Sequence, residues 1–155
     1  MIKFTIQHIK NFKERSAPFA TLTAYDFTSA QILDEAQIPL ILVGDSASMT
    51  IYGYKTTIPI SMDEMMLVVK AVTRGAKHSL VVADMPFLSY QPSVEETMKN
   101  AGLFLKDGGA SAVKLEGGVH VEQHISSLIN SGIPVLGHVG LTPQSYHQLS
   151  GYQIQ

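Results

Sequence analysis

Two textures alternate along this chain. Short apolar runs, "PFATLTAYD", "IPLILVGD", "SLVVADM", "SAVKLEGG" and "IPVLGHVG", are separated by longer stretches whose apolar residues recur three and four apart. The runs predict strands at about 19–24, 38–43, 79–84, 111–116 and 133–138. Their Val/Leu/Ile content fits strands buried on both faces. The longer stretches predict helices. "FTSAQILDEAQ" carries Ala30, Leu33 and Ala36 on one face. "SMDEMMLVVKAVTRGAK" opens with the capping box Ser61/Glu64 and has Met65, Val68, Val69 and Val72 as its stripe. Met62, Met65 and Met66 are expected to fill core. Ser93 and Glu96 repeat the capping logic for a helix ending at Gly108, and "VHVEQHISSLINSG" predicts a helix closed by Gly132.

The order is β-α-β-α-β-α-β-α-β, which predicts an α/β fold with a parallel sheet and helical crossovers. No repeat or linker divides the chain, so residues 1–155 are expected to form one domain. The N-terminal "MIKFTIQHIKNFKERS" is basic and amphipathic, loosely like a mitochondrial presequence, but lacks a continuous apolar segment. It predicts a short helix with Ile6, Ile9 and Phe12 on one face, packed on the fold or on a neighbouring subunit. "SASMTIYGYKTTIPI" predicts a long loop broken by Gly53 and Pro59. Tyr52 and Tyr54 are placed there either as part of a lid or packed on the fold.

Composition narrows the chemistry. A net charge of −2 gives no basic excess for nucleic acid. No apolar run approaches the ~20 residues that span a bilayer. The chain has no cysteine, which removes thiol chemistry and disulfides. No P-loop, GxGxxG or GxSxG pattern is present.

Chemistry concentrates at the strand ends. Asp45, Ser46, Asp84, Lys114, Glu116 and His138 lie at or just past strand C-termini, where parallel α/β folds gather their ligands. Lys114 and Glu116 are two apart in one strand, so they point the same way, ~6–7 Å apart along the backbone. Such a buried pair is either structural or functional, and Gly117-Gly118 frees space beside it. An Asp after a strand is commonly a helix cap or turn former. Two in equivalent positions, with Glu116 on a third strand, also make a set of hard oxygen donors suited to Mg²⁺. His138 is either a satisfied core histidine or a substrate contact. Tyr25 and Asp26 end the first strand in the same manner. His120 and His124 have nominal zinc spacing, but without HExxH and on a helix that reads as solvent-facing.

"TAYD", "VGDS", "VVADMPFLSY", "AVKLEGG" and "GIPVLGHVGLTPQS", in that order, resemble the successive motifs of the ketopantoate hydroxymethyltransferase family across nearly the whole chain. The resemblance implies a (β/α)8 TIM barrel of the phosphoenolpyruvate/pyruvate type, of which about the first five β-α units are readable here. It implies transfer of a hydroxymethyl group from 5,10-methylenetetrahydrofolate to 3-methyl-2-oxobutanoate, giving 2-dehydropantoate on the route to pantothenate and coenzyme A. It also implies a cytoplasmic homodecamer of two pentameric rings. By resemblance Asp45, Asp84 and Glu116 take the Mg²⁺ role, Glu116 through water. Asp45, Ser46, Asp84 and Lys114 match oxo-acid-binding positions, and Tyr25 and His138 match further pocket positions. The chemistry agrees: chelated Mg²⁺ is a Lewis acid, and Lys114 adds positive charge where the enolate oxygen develops.

The departures are equally specific. Five strands are readable where such a barrel has eight in typically ~250 residues. No position here matches the family's proton-accepting glutamate, so the 155-residue chain alone is expected to be inactive. Ser150 stands where the resemblance implies glycine, inside a segment like "GGYxVQG" that reaches Gln155. Two other function classes remain: a Mg²⁺-dependent 2-oxo-acid lyase or mutase of the same barrel class, and a non-catalytic remnant or interaction subunit. "GHVGLTPQS" and the lack of a cysteine-bearing loop argue against the lyase.

Overall fold

The computed structural model describes residues 3–152. The last residues of the "GGYxVQG"-like segment, 153–155, lie outside them. Five strands, β1 (Thr21–Thr23), β2 (Leu40–Val43), β3 (Leu80–Asp84), β4 (Ala112–Glu116) and β5 (Val135–His138), form one parallel sheet in the order β1-β2-β3-β4-β5. Each lies inside the stretch expected for it. The helices are α1 (Ile6–Glu14), α2 (Phe27–Glu35), α3 (Ala47–Thr50), α4 (Met62–Gly75), α5 (Val94–Lys106) and α6 (Glu122–Asn130). Among the described residues no helix is long and apolar enough to cross a membrane.

Sequential strand order has a geometric consequence. Right-handed crossovers between neighbouring parallel strands put every connecting helix on the same face. The sheet therefore has a helical side and an inner side, as in a barrel wall. Ile41, Val43, Val81, Ala83, Val113 and Leu115 point to the helical side and join Met65, Val69, Val72 and Phe104 in the main core. The alternate positions, Leu40, Leu80, Val82 and Ala112, point inward, where Phe4, Ile6, Ile9 and Phe19 pack on them. α1 thus plugs the N-terminal end of the inner face, as its amphipathic pattern implied, with Phe12 stacked on Phe19 at 4.8 Å. Further along the same face the sequence turns ionic: Leu80 and Val82 give way to Asp84, and Ala112 to Lys114 and Glu116.

Four expectations need correction. β1 is exposed along its length and β5 is only partly covered, so burial on both faces holds for the three central strands alone. They are the edges of the sheet. The loop after β2 contains α3, whose four residues are too few to show helical periodicity. The helix read through 119–132 starts instead as a 3-10 turn, Val119–Val121, because no side chain caps the first turn of α6. Ala36 is the exposed C-cap of α2 and no part of its apolar face.

The methionines behave as their spacing implied, the caps only in part. Ser61 and Glu64 make the reciprocal box on α4, whereas Ser93 caps α5 without a return bond from Glu96. Met65 is fully buried and Met62 and Met66 pack against the core. Ser150 has φ +56, the left-handed conformation that glycine adopts most cheaply, which is the physical content of the glycine expected there.

The link between α2 and β3 carries a buried charge. Asp34 accepts from the backbone N–H of His78 and Ser79 at 2.8 and 2.7 Å, and its Oδ2 is 2.7 Å from His78 Nδ1. Burial works against the ionised form, but these donors overcome it and hold the carboxyl down at about 2. A depressed acid stabilises the fold above its unfolded value of 3.8, and that stability is lost as pH falls through about 2. Asp34→Asn is expected to cost ~2 kcal/mol at pH 7 in urea unfolding, with the deficit shrinking between pH 4 and 2. A pH-independent deficit would contradict this.

Candidate active site

Register assembles the site. Asp84 is paired across the sheet with Lys114, and Glu116 with His138. All four point to the inner face at the C-terminal ends of their strands. Lys114 Nζ donates to both oxygens of Asp84 at 2.7 Å and lies 3.7 Å from Glu116 Oε1. Glu116 Oε1 in turn is 3.2 Å from His138 Nδ1. Asp84 and Glu116 are buried, and Lys114 nearly so.

Asp45 enters from the turn after β2. Its backbone N–H donates to Asp84 Oδ2 at 3.2 Å, which places two buried carboxylates side by side. Burial, and then the charge of Asp84, push Asp45 up to about 7. Burial also raises Asp84, against the pull of Lys114, and raises Glu116, against the N–H of Gln144. Ser46 and Tyr25 form a neighbouring pair, with their hydroxyls 2.8 Å apart. Gly44 makes room for it: a Cβ there would stand 2.6 Å from Ser46 Oγ. All seven residues expected at the rim are therefore at one end of the sheet, Asp45, Asp84, Lys114, Glu116 and His138 in one chain of contacts and Tyr25 with Ser46 beside it. Asp26, by contrast, caps α2 through Ser29.

Two residues were missed. Gln144 is buried at the centre of the rim: its Nε2 donates to Asp45 Oδ2 at 2.9 Å and its backbone N–H to Glu116 Oε2 at 3.0 Å. Tyr90 is buried beneath it, its hydroxyl 2.8 Å from Gln144 Oε1 and within hydrogen-bond reach of the Glu116 backbone. Nothing local marks either one. The nearest sequence signal is "LTPQS", a proline-initiated turn directly after a strand end.

A cavity of about 340 Å³ on the inner face is lined by Leu42, Lys114, Leu136 and His138. A second, of about 540 Å³, lies beside Glu116 and Gln144 under Phe87 and Gln91. Tyr52 and Tyr54 are exposed, so they do not pack on the sheet. His120 is exposed in the 3-10 turn, while His124 Nδ1 lies 2.8 Å from Thr97 Oγ1, a structural contact.

Among the described residues no three Asp, Glu or His side chains are gathered closely enough to surround a metal by themselves. The chemistry of the rim nevertheless fits one that needs few protein ligands. Asp45 and Asp84 are hard oxygen donors, and with the three rim carboxylates ionised Lys114 leaves the cluster negative. Mg²⁺ uses one or two carboxylates and completes its shell with water and substrate oxygens.

The family model for ketopantoate hydroxymethyltransferase matches residues 3–155. The 3-methyl-2-oxobutanoate hydroxymethyltransferase of Frankia alni is 53% identical over 99% of this chain and 50% of its own length. That of Carboxydothermus hydrogenoformans is 51% identical over all of this chain and 56% of its own. The chain thus spans about half the length of the curated relatives it matches. Among solved structures, a phosphonopyruvate hydrolase superposes with TM-score 0.65 at 15% identity, over 92% of this chain and 54% of its own. A 2,3-dimethylmalate lyase of the PEP mutase/isocitrate lyase superfamily gives 0.63 at 12%, over 88% and 53%. At these identities the likeness is one of fold: the five-stranded sheet is about half of such a barrel.

Lys114 lies between Asp84 and Glu116 and contacts both. Lys114→Met keeps the stem and removes the charge. It is expected to cost ~3–5 kcal/mol at pH 7, because it leaves buried carboxylates unpaired. Those carboxyls already sit above their ordinary values, so they protonate on acidification and the deficit should shrink towards pH 5. Denaturant unfolding at the two pH values measures it, and a deficit that grows on acidification would contradict the assignment.

Proposed function

Because the chain belongs to the ketopantoate hydroxymethyltransferase family, we propose that the protein moves a hydroxymethyl group from 5,10-methylenetetrahydrofolate onto 3-methyl-2-oxobutanoate. The product is 2-dehydropantoate, a precursor for pantothenate and coenzyme A. The observation that carries the proposal is the buried Asp45–Asp84–Lys114 cluster at the strand ends. A 2-oxo acid offers two oxygens on adjacent carbons and a negative charge. Lys114 supplies positive charge to the oxo group, and the Ser46 hydroxyl a further polar contact. Leu42 and Leu136 line the adjoining cavity and suit the branched alkyl group. Asp45 and Asp84 would hold Mg²⁺, with Glu116 reached through water. When bound, the ion supplies Lewis acidity to the carboxylate and 2-oxo oxygens.

His138 closes one side of the cavity and, through Glu116, is tied to the same charge network. Tyr25 fixes Ser46. We assign to residues 1–155 the binding of the oxo acid and not the proton acceptor, so this stretch alone would hold substrate without turning it over. The decameric assembly and cytoplasmic site belong to the same proposal. Exposed Ile32 and Leu67, on the adjacent helices α2 and α4, offer apolar area for subunit packing.

Two measurements test it. The naturally made protein should form 2-dehydropantoate only with both Mg²⁺ and the folate donor; carbon–carbon cleavage without folate would favour the lyase class instead. Binding of Mg²⁺ should displace the proton that Asp45 holds below about 7. Calorimetric affinity should therefore rise with pH up to about 7 and level off above it, and a flat profile from pH 5 to 8 would contradict the ligand assignment.

A further inference from the structure

Gln144 does more than close a turn. It stands on the 3-10 turn Pro143–Ser145, in the segment after β5, and is 5% exposed. Its side-chain nitrogen donates to Asp45 Oδ2 at 2.9 Å and to the Met85 carbonyl at 2.8 Å. Its side-chain oxygen faces the Tyr90 hydroxyl at 2.8 Å and accepts from Gln91 Nε2 at 2.9 Å. Its backbone N–H donates to Glu116 Oε2 at 3.0 Å. One residue thus joins the ends of β2, β3 and β4 and the loop before α5.

The amide has a single good orientation. The Met85 backbone carbonyl can only accept, as does the Asp45 carboxylate when ionised, so the nitrogen must face both. Both amide hydrogens are then used, and the oxygen is left for Tyr90 and Gln91. A buried amide satisfied on all sides is held firmly, because breaking any one bond leaves an unpaired polar group. Gln144 therefore commits Oδ2 of Asp45 and leaves Oδ1 outside this contact.

We propose that Gln144 is a positioning residue: its amide orients the Asp45 carboxylate, and its backbone orients Glu116, for the oxo acid and its cation. The assignment rests on Asp45 having the ligand role given above. An anchor for the post-β5 segment would need only the bonds to Met85, Tyr90 or Gln91. The two bonds to acidic groups of the rim serve the ligand. In metal sites, partners that orient a ligating carboxylate are worth ~10–100-fold in affinity or activity when removed.

Two variants of equal length in the naturally made protein separate the roles. Gln144→Glu keeps the acceptor for Tyr90 and Gln91 but turns the donor facing Asp45 into a second acceptor. Gln144→Met removes both functions. Each should stay folded by circular dichroism at the assay temperature. Calorimetric Mg²⁺ affinity in the presence of 3-methyl-2-oxobutanoate should fall ~10–100-fold, more for Glu than for Met, and KM for the oxo acid should rise in parallel. Folded variants with wild-type affinity and KM would overturn the proposal. A ligand-free arm stands apart from the functional reading. Gln144→Glu should lower the melting temperature by several degrees when Asp45 is present and much less in the Asp45→Asn background. Equal losses in both backgrounds would overturn the contact itself. Wild-type protein that fails to bind Mg²⁺ with the oxo acid would sink the functional reading, while the ligand-free arm still decides the positioning.

Discussion

The rim is built around one ammonium shared by more carboxylates than it can neutralise. Lys114 contacts Asp84 directly and Glu116 more loosely, and Asp45 abuts Asp84. Burying such a group is expensive, and pairing repays the cost only with good geometry and further hydrogen bonds. The structure provides both for Asp84 and Lys114 and leaves Asp45 underpaid, so its carboxyl is pushed up to about 7. A site that holds excess negative charge near neutrality either keeps a proton or takes a cation. That choice is what makes this end of the sheet chemically useful and the other end merely stable.

The same strands supply both ends. Along the inner face of β3 and β4 the alternate positions change from apolar to ionic within one strand length. At the apolar end α1 seals the sheet with Phe4, Ile6 and Ile9. The ionic end is left for polar loops and the turn at Pro143–Ser145. Cross-strand register then does the placing, with Asp84 opposite Lys114 and Glu116 opposite His138. A slip of one residue would turn each strand's inward set outward and dissolve the cluster. The hydrophobic pattern that fixes the register is thus also what fixes the site.

Much of this was legible in the sequence. Short apolar runs marked all five strands, with continuous Val/Leu/Ile only in β2 and β3, and period-2 alternation gave the common direction of Lys114 and Glu116. Capping boxes located α4, and the strand-end rule located every acidic group of the rim. What escaped depends on chain return. Gln144 meets Asp45 from 99 positions away and Tyr90 meets Glu116 from 26, and neither pairing leaves a local trace. α3 is too short for periodicity. The exposure of β1 and β5 follows from their place at the sheet edges, which no run of apolar residues specifies. Ser150 is an intermediate case: the resemblance implies glycine there, and the left-handed backbone at this position supplies the physical reason.

The central claim is that Asp45, Asp84 and Lys114 form the oxo-acid rim. It is tested most directly by a crystal structure of the naturally made protein grown with Mn²⁺, as an anomalous stand-in for Mg²⁺, and 3-methyl-2-oxobutanoate. The account predicts an anomalous peak within coordination distance of Asp45 and Asp84, with the oxo acid beside Lys114. A peak elsewhere, or oxo acid bound away from Lys114, would contradict it.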